Sequence, residues 1–216
     1  MKAFIFDLEA TGLDVMTSDV CSIGYIIYDT AVNQSSSGLQ YFAIDHEVPY
    51  SASKVNGLTQ AKLEALSNGT TFLDYSDELL DIMRGCDILV GHNSNSFDIP
   101  LLRANFARAG RRMVKDEAKF VNKLSTLTDL SNIGWDTFDT IVAGKAFMHL
   151  NTKYGPKLGV LYNEVCSKLY HTTKENMDKI FASTRGKSGS AHEADYDVWM
   201  TFVIFRAFLP SLSKRN

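Results

Sequence analysis

Apolar residues follow two rhythms along this chain, and together they predict the elements. Ala3-Phe4-Ile5-Phe6 is a short apolar run that stops at Asp7, which predicts a strand from Lys2 to Asp7. Val20–Asp29 and Leu39–Ile44 are rich in β-branched or aromatic residues and are broken by turn residues, so they predict two more. Ser35-Ser36-Ser37-Gly38 lies between them and reads as the hairpin loop. From Thr71 to Arg84 the rhythm becomes helical. Phe72, Tyr75, Leu79, Leu80 and Met83 recur on one face, and Gly85 follows as a stop. Thr59 is placed to cap a shorter helix, Thr59 to Leu66. Asp87–Gly91 suits a buried strand, Asp98–Ala109 a helix with Gly110 just past its end, and Trp135–Asp139 a last strand. Gly159–Tyr170 and His192–Leu209 are predicted helices. Strands followed by alternating helix and strand give an α/β layer fold with a mixed central sheet. Its first three strands form an antiparallel meander, and later ones join in parallel through helical crossovers.

Composition narrows the possibilities. With 216 residues, 45% hydrophobic and 22% charged, the chain has the balance of one globular domain over 1–216. Its net charge of -3 removes a global attraction for nucleic acid, so any such partner must be held by local patches. Cys21, Cys86 and Cys166 are scattered and without metal spacing, as expected of free thiols in a reducing compartment. The N-terminal apolar run is too short for a signal peptide, and nothing approaches the roughly 20 apolar residues of a membrane span. The expectation is a soluble, intracellular protein. Nothing in the sequence sets its oligomeric state.

Three short segments carry candidate chemistry. In a strand, Asp7 and Glu9 point to the same side, where an apolar run ends. Two adjacent carboxylates repel and lose hydration there, and a hard divalent cation would relieve both costs. An exposed acidic turn is the plainer alternative. His92-Asn93-Ser94-Asn95-Ser96-Phe97-Asp98 leads from a strand into a helix, so Asp98 reads equally as a helix-start acid favoured by the dipole. His192-Glu193-Ala194-Asp195-Tyr196-Asp197 introduces the apolar C-terminal helix, and the small, polar, basic stretch before it, from Arg185, reads as mobile. His192 and Asp197 are five apart, which is not a same-face spacing, so they can serve one site if His192 lies in the loop or first turn while Asp197 lies within the helix.

Taken in order, these segments resemble the three motifs of the DnaQ-like (DEDDh) 3′→5′ exonucleases. Asp7-Leu8-Glu9-Ala10-Thr11-Gly12 resembles the family's Asp-x-Glu-Thr-Thr-Gly, with Ala10 for a Thr. His92-Asn93 to Phe97-Asp98 resembles the second motif, and His192, Ala194 and Asp197 meet the third, His-x-Ala-x-x-Asp. Ser22-Ile23-Gly24, Val55-Asn56-Gly57-Leu58-Thr59 (Asn56 for the usual His) and Phe138-Asp139-Thr140 are similar to further family segments. The three-residue spacer before Phe97-Asp98 is most similar to the three-prime repair exonucleases.

The resemblance implies an RNase H-like fold and a mixed five-stranded central sheet flanked by helices. It implies two Mg²⁺ or Mn²⁺ ions held by Asp7, Glu9, Asp98 and Asp197. His192 would be the general base, since the ordinary imidazole pKa of about 6.5 suits proton removal from water near neutral pH. Substrate contacts carried over with it are Thr11, Leu13, Asn56, Asn93 and Phe97. The implied partner is DNA, chiefly single-stranded 3′ ends, cut to nucleoside 5′-monophosphates. An exoribonuclease with the same site and a catalytically silent nucleic-acid-binding module are the alternatives. For the strand beyond the site, the basic residues Arg103, Arg108, Arg111, Arg112, Lys115, Lys119 and Lys123 form one candidate phosphate track, with Arg185 and Lys187 a second. No GxGxxG or P-loop supports a small-molecule nucleotide enzyme.

Overall fold

The computed structural model describes residues 1–117, 130, 133–186, 189 and 192–212, with 211 and 212 in backbone only. Its strands are β1 (Lys2–Ala10), β2 (Val20–Asp29), β3 (Gln34–Tyr41), β4 (Ile88–Gly91) and β5 (Asp136–Asp139). They form one sheet in the order β3-β2-β1-β4-β5. The β1–β2 and β2–β3 pairs are antiparallel, whereas β1–β4 and β4–β5 are parallel. The helices among the described residues are α1 (Tyr50–Asn56), α2 (Gln60–Ser67), α3 (Phe72–Arg84), α4 (Asp98–Arg108), α5 (Thr140–Phe147), α6 (Leu158–Lys168), α7 (Lys174–Arg185) and α8 (Ala194–Leu212). The expected mixed sheet, meander and parallel crossovers are present. None of these helices is long and apolar enough to cross a membrane.

Several elements follow from local chemistry. The Thr59 side chain accepts the Lys62 N–H at the start of α2. Thr71 and Asp74 form a reciprocal capping box on α3, each side chain accepting the other residue's backbone N–H. Other expectations are corrected. Ser35-Ser36-Ser37-Gly38 is not the hairpin loop; it lies inside β3, opposite Tyr28, Ile27, Ile26 and Tyr25. The turn is residues 30–33, with Asn33 at φ 53°. Backbone pairing to β2 is the main tie of this edge strand, so it needs little apolar side chain, and hydropathy underreports it. Helices α1, α5 and α7 were not predicted. Short α5 includes Gly144, and α1 has a Pro49 N-cap without a side-chain cap bond. The signal for α7 was present: Thr173 caps it, and Met177 and Phe181 are buried one turn apart. Trp135 lies just outside β5, its indole N–H shared between the Met83 and Cys86 carbonyls.

β1 is the central strand, and its alternation decides where the acids go. Phe4, Phe6 and Leu8 face α3 and α4, packing with Leu79, Leu80, Met83, Ile99, Leu102 and Phe106. Ala3 and Ile5 face the opposite side, where Val198, Phe202 and Phe205 of α8 cover the sheet. Each large apolar side chain so buried contributes about 1.5–3 kcal/mol relative to exposure. On the outer side of α8, Tyr196, Met200 and Ile204 pack with residues of α6 and α7. Period-two alternation continues the Ala3–Ile5 row to Asp7 and Glu9. Both carboxylates therefore lie on the face that α8 crosses.

Close approach there depends on Gly24. It pairs with Asp7 across the β1–β2 ladder, and a Cβ at this position would lie 2.5 Å from the Ala194 carbonyl oxygen. Without that side chain, the start of α8 rests directly on β2 beside Asp7. This contact brings Asp197, in the first turn of α8, over the end of β1.

Candidate active site

Ligand atoms of Asp7, Glu9 and Asp197 all lie within 4.8 Å of one another. Asp7 and Glu9 are partly exposed, and Asp197 is buried. Asp98 approaches from the other side of β1 as the first residue of α4. Its Oδ1 accepts the Leu8 N–H at 3.2 Å, and it also accepts its own backbone N–H. It stands outside the three-carboxylate group, but its charge acts on Asp7 and Glu9.

Like charge and burial raise every one of these carboxyls. Burial is the largest cause for Asp7, followed by the charges of Asp98, Asp197 and Glu9, and it sits well above the usual carboxylate range. Glu9 is pushed up to about 8 by burial, then by Asp197 and Asp98. Asp98 is pushed up to about 7, chiefly by burial, against the lowering effect of its two N–H donors. Asp197 reaches about 6; burial raises it, and the His192 N–H opposes. Asp197 Oδ1 is buried with no hydrogen-bond partner among the described residues. An acceptor-only oxygen left bare beside two more carboxylates is what a divalent cation with oxygen ligands satisfies. The donor set therefore fits a hard dication.

His192 stands in the loop before α8, one of the two placements its spacing from Asp197 allows. The expected helix start at His192 is corrected to Ala194. His192 has φ 63°, and the Glu193 carbonyl receives the Tyr196 and Asp197 N–H groups that open the helix. His192 N–H donates to Asp197 Oδ2 at 3.2 Å, which ties the histidine to the carboxylate group. Of the preceding segment expected to be mobile, 187, 188, 190 and 191 lie outside the described residues, and Arg185 closes α7.

The carried-over substrate residues fall in different places. Asn93, at φ 62°, lines the cleft beside Asp7, His192 and Asp197. Leu13 is 88% exposed in the β1–β2 turn. Thr11 is buried, its hydroxyl accepting the Asp19 N–H at 2.9 Å within that turn. Phe97 packs partly buried against the core under α4. Asn56 turns to the carboxylates: its amide donates to the Ala10 carbonyl at 3.2 Å, and its side chain also hydrogen-bonds Glu9. Its Oδ1 accepts the Leu58 N–H at 3.0 Å. Asp139 and Thr140 act as scaffold. Asp139 accepts backbone N–H groups from Asn93, Asn95 and Ile141. Thr140 Oγ1 donates to the Gly91 carbonyl at 3.2 Å and meets His92 Nδ1 at 2.9 Å.

The site opens into a cleft of about 1190 Å³. Its far wall was not anticipated. Lys145, Lys153, Tyr154 and Lys157, from α5 and the segment before α6, line it opposite Asp7, Asp197 and His192. Among the described residues of the basic run, Arg103, Arg108, Arg111, Arg112 and Lys115 do not line this cleft. Arg108 is held by Asp19 and the Met16 and Ser18 carbonyls, Arg111 by Asp77, and Lys115 by Asp87. Arg103 and Arg112 have partners too, while Lys119, Lys123 and Lys187 lie outside the described residues. Arg185 donates to Ser37 Oγ. One signal was available for the missed wall: no acidic residue occurs from Thr140 to Asn163.

The Exonuclease (RNase_T) family model matches residues 4–205. The chain belongs to this family. The match spans all four carboxylates and His192. PolC-type DNA polymerase III of Mycoplasma pneumoniae is 32% identical over 105 residues, covering 48% of this exonuclease-family chain and 7% of the polymerase. Exonuclease I has a similar fold, with TM-score 0.67 at 15% identity over 99% of this chain and 42% of that one. So does a zinc-bound form of the Escherichia coli exonuclease I–ssDNA complex, with TM-score 0.64 at 14% identity over 99% and 41%. The fold is thus RNase H-like, as expected. This chain spans less than half the length of each of these proteins.

Proposed function

We propose that this chain is a metal-dependent 3′→5′ exonuclease that releases nucleoside 5′-monophosphates from DNA single strands or frayed 3′ ends. Residues 1–216 act as one exonuclease domain in this reading. The observation that carries it is the convergence of Asp7, Glu9 and Asp197 within 4.8 Å, with Asp98 behind them and His192 tied to Asp197. Family membership and the likeness to exonuclease I support the reaction class. Four carboxylates raised chiefly by burial, and then by neighbouring acids, repel a polyanion when bare and accept it when neutralised.

Asp7, Glu9, Asp98 and Asp197 would hold two Mg²⁺ or Mn²⁺ ions. When bound, such ions supply Lewis-acid stabilisation of charge on the phosphodiester and on the leaving 3′ oxygen. His192 takes the proton from the attacking water. Its backbone N–H bond to Asp197 fixes the turn that presents the imidazole, at a left-handed φ that holds it clear of the helix. Asn56 orients Glu9 from behind, in the manner of outer partners that fix metal-binding carboxylates.

The test is incubation with 3′- and 5′-labelled DNA oligomers, with and without Mg²⁺, and with matched RNA. The reading requires mononucleotides from the 3′ end, only with metal, and faster from DNA. Faster RNA cleavage makes it an exoribonuclease. Binding in Mg²⁺ with no mononucleotide released makes it a silent binding module.

A further inference from the structure

The wall opposite the carboxylates has the chemistry of a strand-binding surface. Lys153 and Lys157 form no ion pair among the described residues, and both are exposed. Tyr154 between them is 75% exposed, with the Lys153 Nζ 5.4 Å from its ring centroid. An exposed aromatic flanked by unpaired cations suits bases that stack and phosphates that need counter-charge.

The segment is also braced in place. Lys145 donates to the Lys153 carbonyl at 3.3 Å, and Thr152 Oγ1 to that of Tyr154. Pro156 is buried, and His92 hydrogen-bonds its backbone, linking the segment to the end of β4. Gly155 lies so close on Ile141 that any Cβ there would collide with that side chain. The ring and both lysines are thus presented from a fixed backbone, and the cleft runs continuously from them to Asp7 and Asp197. Acidic and basic groups thus line one cleft.

We propose that Tyr154, Lys153 and Lys157 form a platform gripping the unpaired strand that leads into the carboxylate centre, so that single strands are taken in preference to duplex ends. This rests on the exonuclease reading, because the floor of the same cleft supplies the chemistry. A base stacks on Tyr154 while adjacent phosphates lie against the two lysines. Within a duplex the faces of bases are covered by their stacked neighbours, so only an unpaired strand offers an internal base to the ring, which is the origin of the preference.

Fluorescence anisotropy of a labelled deoxythymidine oligomer in Ca²⁺ tests it, with a blunt duplex and a uridine oligomer alongside. Tyr154→Ala should weaken single-strand binding about 5- to 100-fold, the value of one base–aromatic stack. Lys153→Ala/Lys157→Ala should reduce the slope of log affinity against log salt by about 1.4, at roughly 0.7 per phosphate contact. Hydrolysis of the p-nitrophenyl ester of thymidine 5′-monophosphate in Mg²⁺, which engages only the floor, should not change in either variant. Loss with either polymer supports the platform, and the tighter one names the strand. Unchanged single-strand affinity in both variants overturns it, as does an equal loss for the duplex. Should the wild type hydrolyse neither oligomer nor ester, the exonuclease reading fails, and the anisotropy still decides the platform.

Discussion

The floor and the wall of the cleft are built on opposite plans. The floor places acids on regular elements: Asp7 and Glu9 on the central strand, Asp98 and Asp197 in the first turns of helices that pack on its two faces. Those acids are buried or half-buried, and they destabilise one another. The wall places Lys153, Tyr154 and Lys157 on an exposed connecting segment, where solvent screens their charge and they cost little. Strand and helix ends hold a side chain to a fraction of an ångström, which metal chemistry needs, whereas a segment that only grips a polymer tolerates looser placement. The floor is therefore the part in tension with stability, and metal should relieve it.

The sharpest way to break this contrast is at the centre of the floor. Asp7→Asn should lower kcat/KM in Mg²⁺ by on the order of 10³-fold or more, since the metal supplies several kcal/mol of charge stabilisation. The same variant should raise Tm in EDTA by a few degrees, because about 1 kcal/mol moves Tm by about 2–4 °C at this size. Loss of activity with a lowered metal-free Tm would mean that Asp7 is structural. His192→Ala should reduce kcat by about 10²–10⁴-fold, with the affinity for an oligomer in Ca²⁺ left as it was. A change in affinity alone would remove His192 from the chemistry.

Asn56→Ala comes next, at about 10- to 100-fold in metal affinity or activity, read from a Mg²⁺ titration of the rate. An unaltered titration would show that Glu9 needs no such support. The smallest effect is on stability against pH in the absence of metal. Glu9, Asp98 and Asp197 hold protons in the folded state up to about 8, 7 and 6, which the unfolded chain releases near 4. The folded state thus binds more protons in that window, and stability falls as pH rises from about 4 through about 8. Asp74, Asp77 and Asp87 are lowered by their partners, and their contribution is lost only below that window. Thermal melts in EDTA from pH 5 to pH 9 should show Tm declining, and excess Mg²⁺ at pH 8 should restore it. A flat profile would mean the carboxylates are not held against one another.

Much of this was legible before any coordinates. The cap at Thr59, the helical face of α3 and the apolar run into Asp7 are local signals, and each lies where the sequence places it. The five-residue spacing of His192 and Asp197 already left one shared site open to them only with His192 in the loop or first turn. Less was legible where pairing, not side-chain burial, holds a segment. Ser35–Gly38 forms strand because β2 offers it a ladder, and nothing in its hydropathy says so. The basic run near 103–123 looked like a phosphate track because linear charge does not reveal partners. Asp19, Asp77 and Asp87, distant in sequence, take up several of those cations.

Local periodicity by itself determined that Asp7 and Glu9 share a face, and local pattern that Asp98 opens a helix, because side-chain direction is fixed by backbone geometry over a few residues. Which face α8 covers, and that Gly24 lets its first turn settle against Asp7, was decided by sheet order and close packing. Those depend on contacts between residues over a hundred positions apart. The lysine wall belongs to the same class: its charges are in the sequence, but only the crossover from β5 through α5 to α6 turns them toward the carboxylates.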